Sequence, residues 1–268
     1  MATYLENISG WFRGRLDGPG HMACPQDAEL GLRVLAVWRS RMIAEALKAQ
    51  NGGKVLSGPF AGMTYVSGAA EGALAPRLLG SYEAELHPYL EAFARDGADC
   101  VIDVGCAEGY YAVGLARLFP AAKVFAYDRN PVALDACREM ARLNGVEDRV
   151  IVQGNFTPER FQDFAGLNCL VIMDVEGAED ELLRPDLAPA LAGMRLIVET
   201  HDGARPGVRQ RVYDRFADTH EIVQLNPGPR TQPLPDFLSG ASQLDQLLAH
   251  WEFRSSPTPW LVMTPKGV

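Results

Sequence analysis

Two patterns of apolar residues divide the chain. Over residues 101–104, 123–127, 150–153, 169–173 and 196–198, short runs rich in β-branched residues read as buried strands. Between them, residues 110–118, 131–144, 159–164 and 178–183 carry apolar positions at helical spacing. Strands alternating with helices predict a parallel, doubly wound α/β sheet. Further on, the pattern predicts a helix over 208–217, a strand over 221–225, a loop rich in proline and glycine over 226–235, a helix near 243–251 and a final strand over 260–264. Two late strands separated by an excursion suit an antiparallel C-terminal hairpin closing a mostly parallel, seven-stranded sheet.

Ahead of the first strand the pattern is less regular. Residues 1–26 are rich in glycine and polar residues and read as a partly ordered lead-in. A helix is expected over 27–50, where Val34, Leu35, Trp38, Met42, Ile43, Ala46 and Leu47 form a stripe that would pack on the main domain or on the second subunit of a homodimer, with a substrate lid as the competing reading. Two β-prone runs around Gly58-Pro59 and Gly62 predict a hairpin over 54–66, and residues 78–97 read as a helix leading into the first strand. The division is an N-terminal helix and hairpin extension over 1–77, in contact with substrate or a partner, followed by a main domain over 78–268.

The 268 residues carry 25 Lys and Arg against 34 Asp and Glu, a formal charge of −9. A surface of that sign repels polyphosphate, so a small molecule is a better expected partner than nucleic acid. No apolar run approaches the roughly 20 residues of a membrane span, and the N-terminus lacks the apolar core of a signal peptide. The five cysteines show neither metal-site spacing nor a secreted disulfide framework, which suits a reducing cytoplasm.

The chemistry concentrates at the carboxyl ends of the predicted strands, where ligands of such sheets bind. The first strand ends in Asp103 and turns through Gly105-Cys106-Ala107-Glu108-Gly109 into a helix. Glycine at 105 and 109 removes bulk where a cofactor would approach backbone. Asp128, at the end of the next strand, has two carboxylate oxygens for the two hydroxyls of a ribose. Nicotinamide and S-adenosylmethionine cofactors both make that demand. The loop, however, lacks the full G-x-G-x-x-G spacing that seats a pyrophosphate, and Asp103 and Glu108 suit an ammonium and a sulfonium better than a diphosphate. S-adenosylmethionine therefore fits better.

The segment VIDVGCAEGYYAVGLA, followed by Asp128, resembles the first two motifs of class I S-adenosylmethionine-dependent methyltransferases, with their Rossmann-like fold. DVEGAEDELL (174–183) and IVETHD (197–202) resemble the motifs of the FkbM-like family within that class. The resemblance covers residues 78–202. It implies that Asp103, Gly105, Ala107 and Gly109, with Cys106 and Tyr110 of the same turn, hold the methionine part of the cofactor. Asp128 would hold the ribose, while Arg129, Asn155 and Phe156 would border the adenine. Ala107 stands where many relatives have glycine, and Arg129 where an apolar residue is usual. Tyr82 and Glu83 precede this domain's first strand, and Glu83 reads either as a solvated first-turn acid or as a group reaching the cofactor.

Methyl transfer to a hydroxyl needs orientation and a base. Of the histidines, His201 alone ends a strand on the predicted site's side, and it has a structural hydrogen-bonding role as its competing reading. Asp174 and Glu176 stand beside it as further catalytic candidates, Asp174 also reaching the cofactor. Asp174, Glu176, Glu179, Glu199 and Asp202 crowd two adjacent strand ends, where a divalent cation is conceivable, though the dipoles of the following helix account for part of the crowd. O-methylation of a small molecule is the expected activity. N-methylation of an amine, nicotinamide-dependent hydride transfer and a non-catalytic cofactor-binding scaffold are the alternatives. Trp11, Phe12, Trp38, Tyr65, Trp251 and Trp260 are available for an aromatic acceptor pocket, with core packing as their competing role.

Overall fold

The computed structural model describes residues 2–17, 25–66 and 72–267. Seven strands form one sheet in the order β3-β2-β1-β4-β5-β7-β6. These are β1 Cys100–Val104, β2 Lys123–Tyr127, β3 Val150–Gln153, β4 Cys169–Met173, β5 Arg195–Glu199, β6 His220–Leu225 and β7 Trp260–Pro265. The first five pair in parallel, and β7 runs antiparallel between β5 and β6. The expected doubly wound sheet with its late hairpin is what forms.

Burial on both faces explains why the central strands read as unbroken apolar runs. Every residue of β1, β4 and β5 is buried. Successive side chains enter different cores: Val101, Leu170, Ile172 and Ile197 pack on one face, and Ile102, Val104, Val171 and Val198 on the other. Order reverses between β1 and β4, the two parallel neighbours from which the chain winds outward in opposite directions, so a crevice opens at their carboxyl ends. Helices α5 Tyr110–Leu118 and α6 Pro131–Leu143 connect β1, β2 and β3. Asn130 caps α6 by accepting the Val132 N–H, and Pro131 takes a first-turn position that needs no donor.

The N-terminal part differs from its sequence reading in four places. The lead-in forms a helix, α1 Ala2–Asp17, ahead of α2 Pro25–Asn51. The α2 stripe is only partly buried: Ile43 and Leu47 reach the core, whereas Leu35 is 42% exposed and Ala46 also faces solvent. Residues 54–66 make a single antiparallel bridge, Lys54 to Thr64, rather than a hairpin of two strands. Backbone bonds from Val55 N–H to the Met63 carbonyl and from Tyr65 N–H to the Gly53 carbonyl tie the two runs together, and the Asn144 side chain adds to them by bonding both the N–H and the carbonyl of Thr64 at 2.8 Å. Val55, Phe60, Met63 and Tyr65 then pack as core, with Phe60 over the bare Gly114 of α5.

The fourth difference lies over residues 78–97. One expected helix is two, α3 Leu74–Leu79 and α4 His87–Asp96, separated by a short 3₁₀ turn. Gly80 takes φ 75° where a Cβ would collide with the carbonyl of Ser57, and Glu83 takes φ 48°. Close approach to the 54–66 loop therefore breaks the helix, a constraint invisible in a window of local sequence. Helix α8 Val208–Phe216 connects β5 to β6, and past β6 a short helix over Asp236–Ser239 (α9) precedes α10 Gln243–His250. Among the described residues no helix is long and apolar enough to cross a membrane.

Candidate active site

A cavity of about 940 Å³ occupies the crevice. Of the residues singled out by sequence, Asp103, Gly105, Cys106, Ala107, Tyr110, Asp128, Arg129, Asn155, Phe156, Asp174, Glu176 and His201 line it. Gly109 and Glu83 do not. At Gly109 an added Cβ would lie 2.8 Å from Cys137 Sγ, so this glycine admits α6 against the turn rather than a ligand. His21 and Cys24 lie outside the described residues.

The turn after β1 is built by backbone geometry. Gly105, at φ 86°, has no room for a Cβ because the Asp174 carbonyl occupies that space, so the ends of β1 and β4 are in contact. Ala107 takes φ 45°, a left-handed conformation that costs an L-residue roughly 1–2 kcal/mol. The departure from glycine is thus one of backbone strain as well as an added methyl. Asp128 holds the strained residue: its Oδ2 accepts the Ala107 N–H at 2.9 Å and its Oδ1 the Asn130 N–H at 2.7 Å. Each oxygen retains a further lone pair toward the cavity. On the rim, Arg129 Nε donates to Asn155 Oδ1 at 3.1 Å. Phe156 is buried and stacks edge-on with Tyr127 and Phe161, leaving little of its ring for a ligand.

The two acids flanking the turn differ in state. Glu108 is buried and ion-paired with Arg77, and it accepts the Tyr65 hydroxyl. Its charge is therefore balanced within the protein, contrary to the expectation that it would face a cationic ligand. Asp103 is 2% exposed and its Oδ2 has no hydrogen-bond partner. Burial, and then the charge of Asp128, push its pKa up to about 8, opposed by the Ala112 N–H. Glu83 is likewise at about 8, through burial first and then Glu199, partly offset by Arg254. A carboxyl whose pKa is raised on folding contributes stability that is whole below its unfolded value of about 4 and is lost as pH rises through the folded value. The ligand-free protein should therefore lose melting temperature between about pH 4 and 8, as read by calorimetric scans across that range, and Asp103→Asn should flatten the loss.

Glu83 is the clearest correction to the sequence reading. It is 1% exposed rather than solvated, accepts the Tyr111 hydroxyl and pairs with Arg254 at 2.6 Å. Arg254 also pairs with Glu199 and Glu252, joining the α3–α4 turn, β5 and the loop after α10. Sequence offered no signal for Arg254, or for Arg77: each is a lone arginine outside any motif, brought to the site by an element distant in the chain. Trp260 and Tyr65 are core residues, and Trp251 lines a separate cavity between α2 and α10.

At the other end of the cavity stands His201, anchored through Thr200, whose N–H and hydroxyl both donate to the Pro259 carbonyl. The ring is 7% exposed. Its Nδ1 lies 2.6 Å from Glu179 Oε1, whereas Nε2 makes no hydrogen bond and has Glu176, Asp174 and Glu199 at 3.4, 3.6 and 3.7 Å. Burial lowers the pKa of the imidazole, but the Glu179 bond and the charges of Glu199, Glu179 and Glu176 outweigh it, and the net direction is upward. Asp174 is raised well above the carboxylate range by burial and by Glu199, Glu83 and Glu176. Glu176 takes φ 52°, a strained conformation of the kind that persists where surrounding structure enforces it. Ligand atoms of Asp174, Glu176 and His201 fall within 4.8 Å of one another, close enough to share a divalent cation. Asp202 is turned away to Arg209 and takes no part.

A family model described as a methyltransferase domain (Methyltransf_31) matches residues 96–183, from the end of α4 through the DVEGAEDELL segment. Among solved structures, an O-methyltransferase from Bacillus cereus in complex with SAH is 13% identical over 85% of this chain and 90% of that one, with a TM-score of 0.51. The O-methyltransferase TomG from Streptomyces achromogenes, solved with SAM, is 11% identical over 68% and 81%, with a TM-score of 0.45. A Bacillus subtilis tRNA methyltransferase, TrmK, is 11% identical over 66% and 64%, at 0.43. No protein of curated function matches the chain. The sheet has the class I, Rossmann-like fold of S-adenosylmethionine-dependent methyltransferases, and its first four strands lie within the matched methyltransferase domain.

Proposed function

We propose that the protein is an S-adenosylmethionine-dependent methyltransferase of the FkbM-like kind that O-methylates a hydroxyl of a small molecule. The observation that carries this reading is the buried carboxyl of Asp103 beside the Gly105–Ala107 turn, whose Oδ2 has no hydrogen-bond partner, with Nε2 of His201 facing the same cavity. A buried carboxyl without a counter-ion, which a cation would draw into its charged form, suits a cofactor that brings an ammonium and a sulfonium, and it offers nothing to the diphosphate of a nicotinamide cofactor. The donor set therefore fits the group: Asp103 and the backbone of Gly105 and Ala107 for the amino-acid part, Asp128 for the ribose, Arg129, Asn155 and the edge of Phe156 for the adenine. When bound, the cofactor supplies an electrophilic methyl group and a thioether leaving group.

His201 would take the acceptor's hydroxyl proton on Nε2 as that oxygen becomes the nucleophile. Asp174 and Glu176 orient the acceptor beside the ring. The extension over 1–77 contributes Arg33 and Gly72 to the cavity wall, and Arg77 through its bond to Glu108, so it shapes the acceptor's surroundings. A small acceptor is favoured over nucleic acid by the net charge of −9 and by the carboxylates at the reacting end. Titration calorimetry with S-adenosylhomocysteine, the demethylated product, should give micromolar binding. A folded protein that binds none would overturn the assignment.

A further inference from the structure

A histidine acts as a base only through a nitrogen that carries no proton, and the hydrogen bond made by one ring nitrogen decides the state of the other. In this site the decision falls to one side chain. Glu179 opens the helix α7 Glu179–Leu182 and is fully buried. Its Oε1 lies 2.6 Å from His201 Nδ1 and accepts the Gly177 N–H at 3.0 Å, so the carboxylate is held from two directions. The other acids facing the ring, Asp174 and Glu176 from the turn after β4 and Glu199 from β5, all approach Nε2, at 3.4 Å or more. Glu199 is also engaged by Arg254.

We propose that Glu179 is the positioning residue of the reaction: it accepts the Nδ1–H of His201, so that the imidazole presents a bare Nε2 to the acceptor hydroxyl. The proposal rests on the reading of His201 as the base. Two observations separate this role from ordinary packing. Among the described residues His201 is the ion-pair partner of Glu179, no lysine or arginine being within pairing distance, and Glu179 Oε2 is buried with no partner. A carboxylate so placed has its full counter-charge only when the ring becomes an imidazolium, which is the state the ring enters as it takes the acceptor's proton. The left-handed Glu176-Gly177 pair, at φ 52° and 106°, turns the chain tightly enough to bring Glu179 back beneath the ring.

Nuclear magnetic resonance of protein labelled with ¹⁵N-histidine and saturated with S-adenosylhomocysteine reads the tautomer directly, the His201 signals being those lost in His201→Ala. At a pH where the ring is neutral, Nδ1 should be the protonated nitrogen and Nε2 the bare one. Glu179→Leu should move the proton to Nε2. Glu179→Gln, whose amide oxygen can occupy the Oε1 position, should keep it on Nδ1. A proton on Nε2 in the wild type overturns the proposal, and so does a Leu variant that binds S-adenosylhomocysteine with the ring unchanged. Stoichiometric Mn²⁺ that bleaches the His201 signals overturns it as well, by making Nε2 a metal ligand. If the variants do not fold, the wild-type spectrum decides. Absence of S-adenosylhomocysteine binding counts against the proposed function instead, since the tautomer is readable in ligand-free protein.

Discussion

Replacing His201 by alanine should leave S-adenosylhomocysteine affinity unchanged and lower kcat for a hydroxyl acceptor by about 10²- to 10⁴-fold, the range that a positioned general base contributes. The separation follows from geometry. Asp103 and Asp128 belong to β1 and to the turn after β2, whereas His201 follows β5 and reaches the cavity from the far side of β4. Because Glu179 and its acidic neighbours raise the pKa of the ring, wild-type kcat/KM should climb with pH through a midpoint above the ordinary histidine value of about 6.5. That limb should vanish in the variant. An amine acceptor that attacks in its neutral form would not need this base, so a His201→Ala enzyme with near-full turnover would point to N-methylation. Steady-state kinetics across pH, paired with calorimetry, separates the two outcomes.

Asp103→Asn should act on the opposite term, weakening S-adenosylmethionine and S-adenosylhomocysteine binding by at least about 30-fold, the scale on which a buried charge pair is lost when one partner is neutralised. The amide keeps size and shape, so the loss isolates charge. In the free protein Asp103 titrates at about 8, so at neutral pH a cationic ligand must draw a proton off it. Calorimetry in buffers of different ionisation enthalpy should therefore register proton release on binding by the wild type and a smaller release by the variant. Affinity that does not change on Asp103→Asn would mean that the ligand's positive charge is received elsewhere.

The half of the cavity proposed for the cofactor was legible because its parts are local. Asp103, Gly105 and Ala107 sit in one turn, Asp128 ends the next strand, and strand ends are where sheets of this topology place ligands. What differs there is the surroundings of individual side chains. Glu108 has its charge balanced by Arg77, from a helix whose break at Gly80 depends on the 54–66 loop. Gly109 serves packing against Cys137. Glu83 was open to either reading because a first-turn acid is ordinarily solvated, and the Tyr111 hydroxyl together with Arg254, from beyond α10, makes its burial tolerable. Glu179 was visible within the DVEGAE motif, but its bond to His201 spans two strands and has no signature in spacing.

From the order of its amino acids alone, this chain determines the parallel sheet and the positions of its strand ends, because short unbroken apolar runs and glycine-softened turns are written within a few consecutive residues. The tertiary structure alone decides which carboxylates are paired, which stay without a counter-ion, and which nitrogen of His201 meets the cavity. Those properties depend on side chains far apart in the chain, Glu83 and Arg254 by 171 positions, and an ionisable group takes its protonation state from whatever folding places around it rather than from its neighbours in the chain.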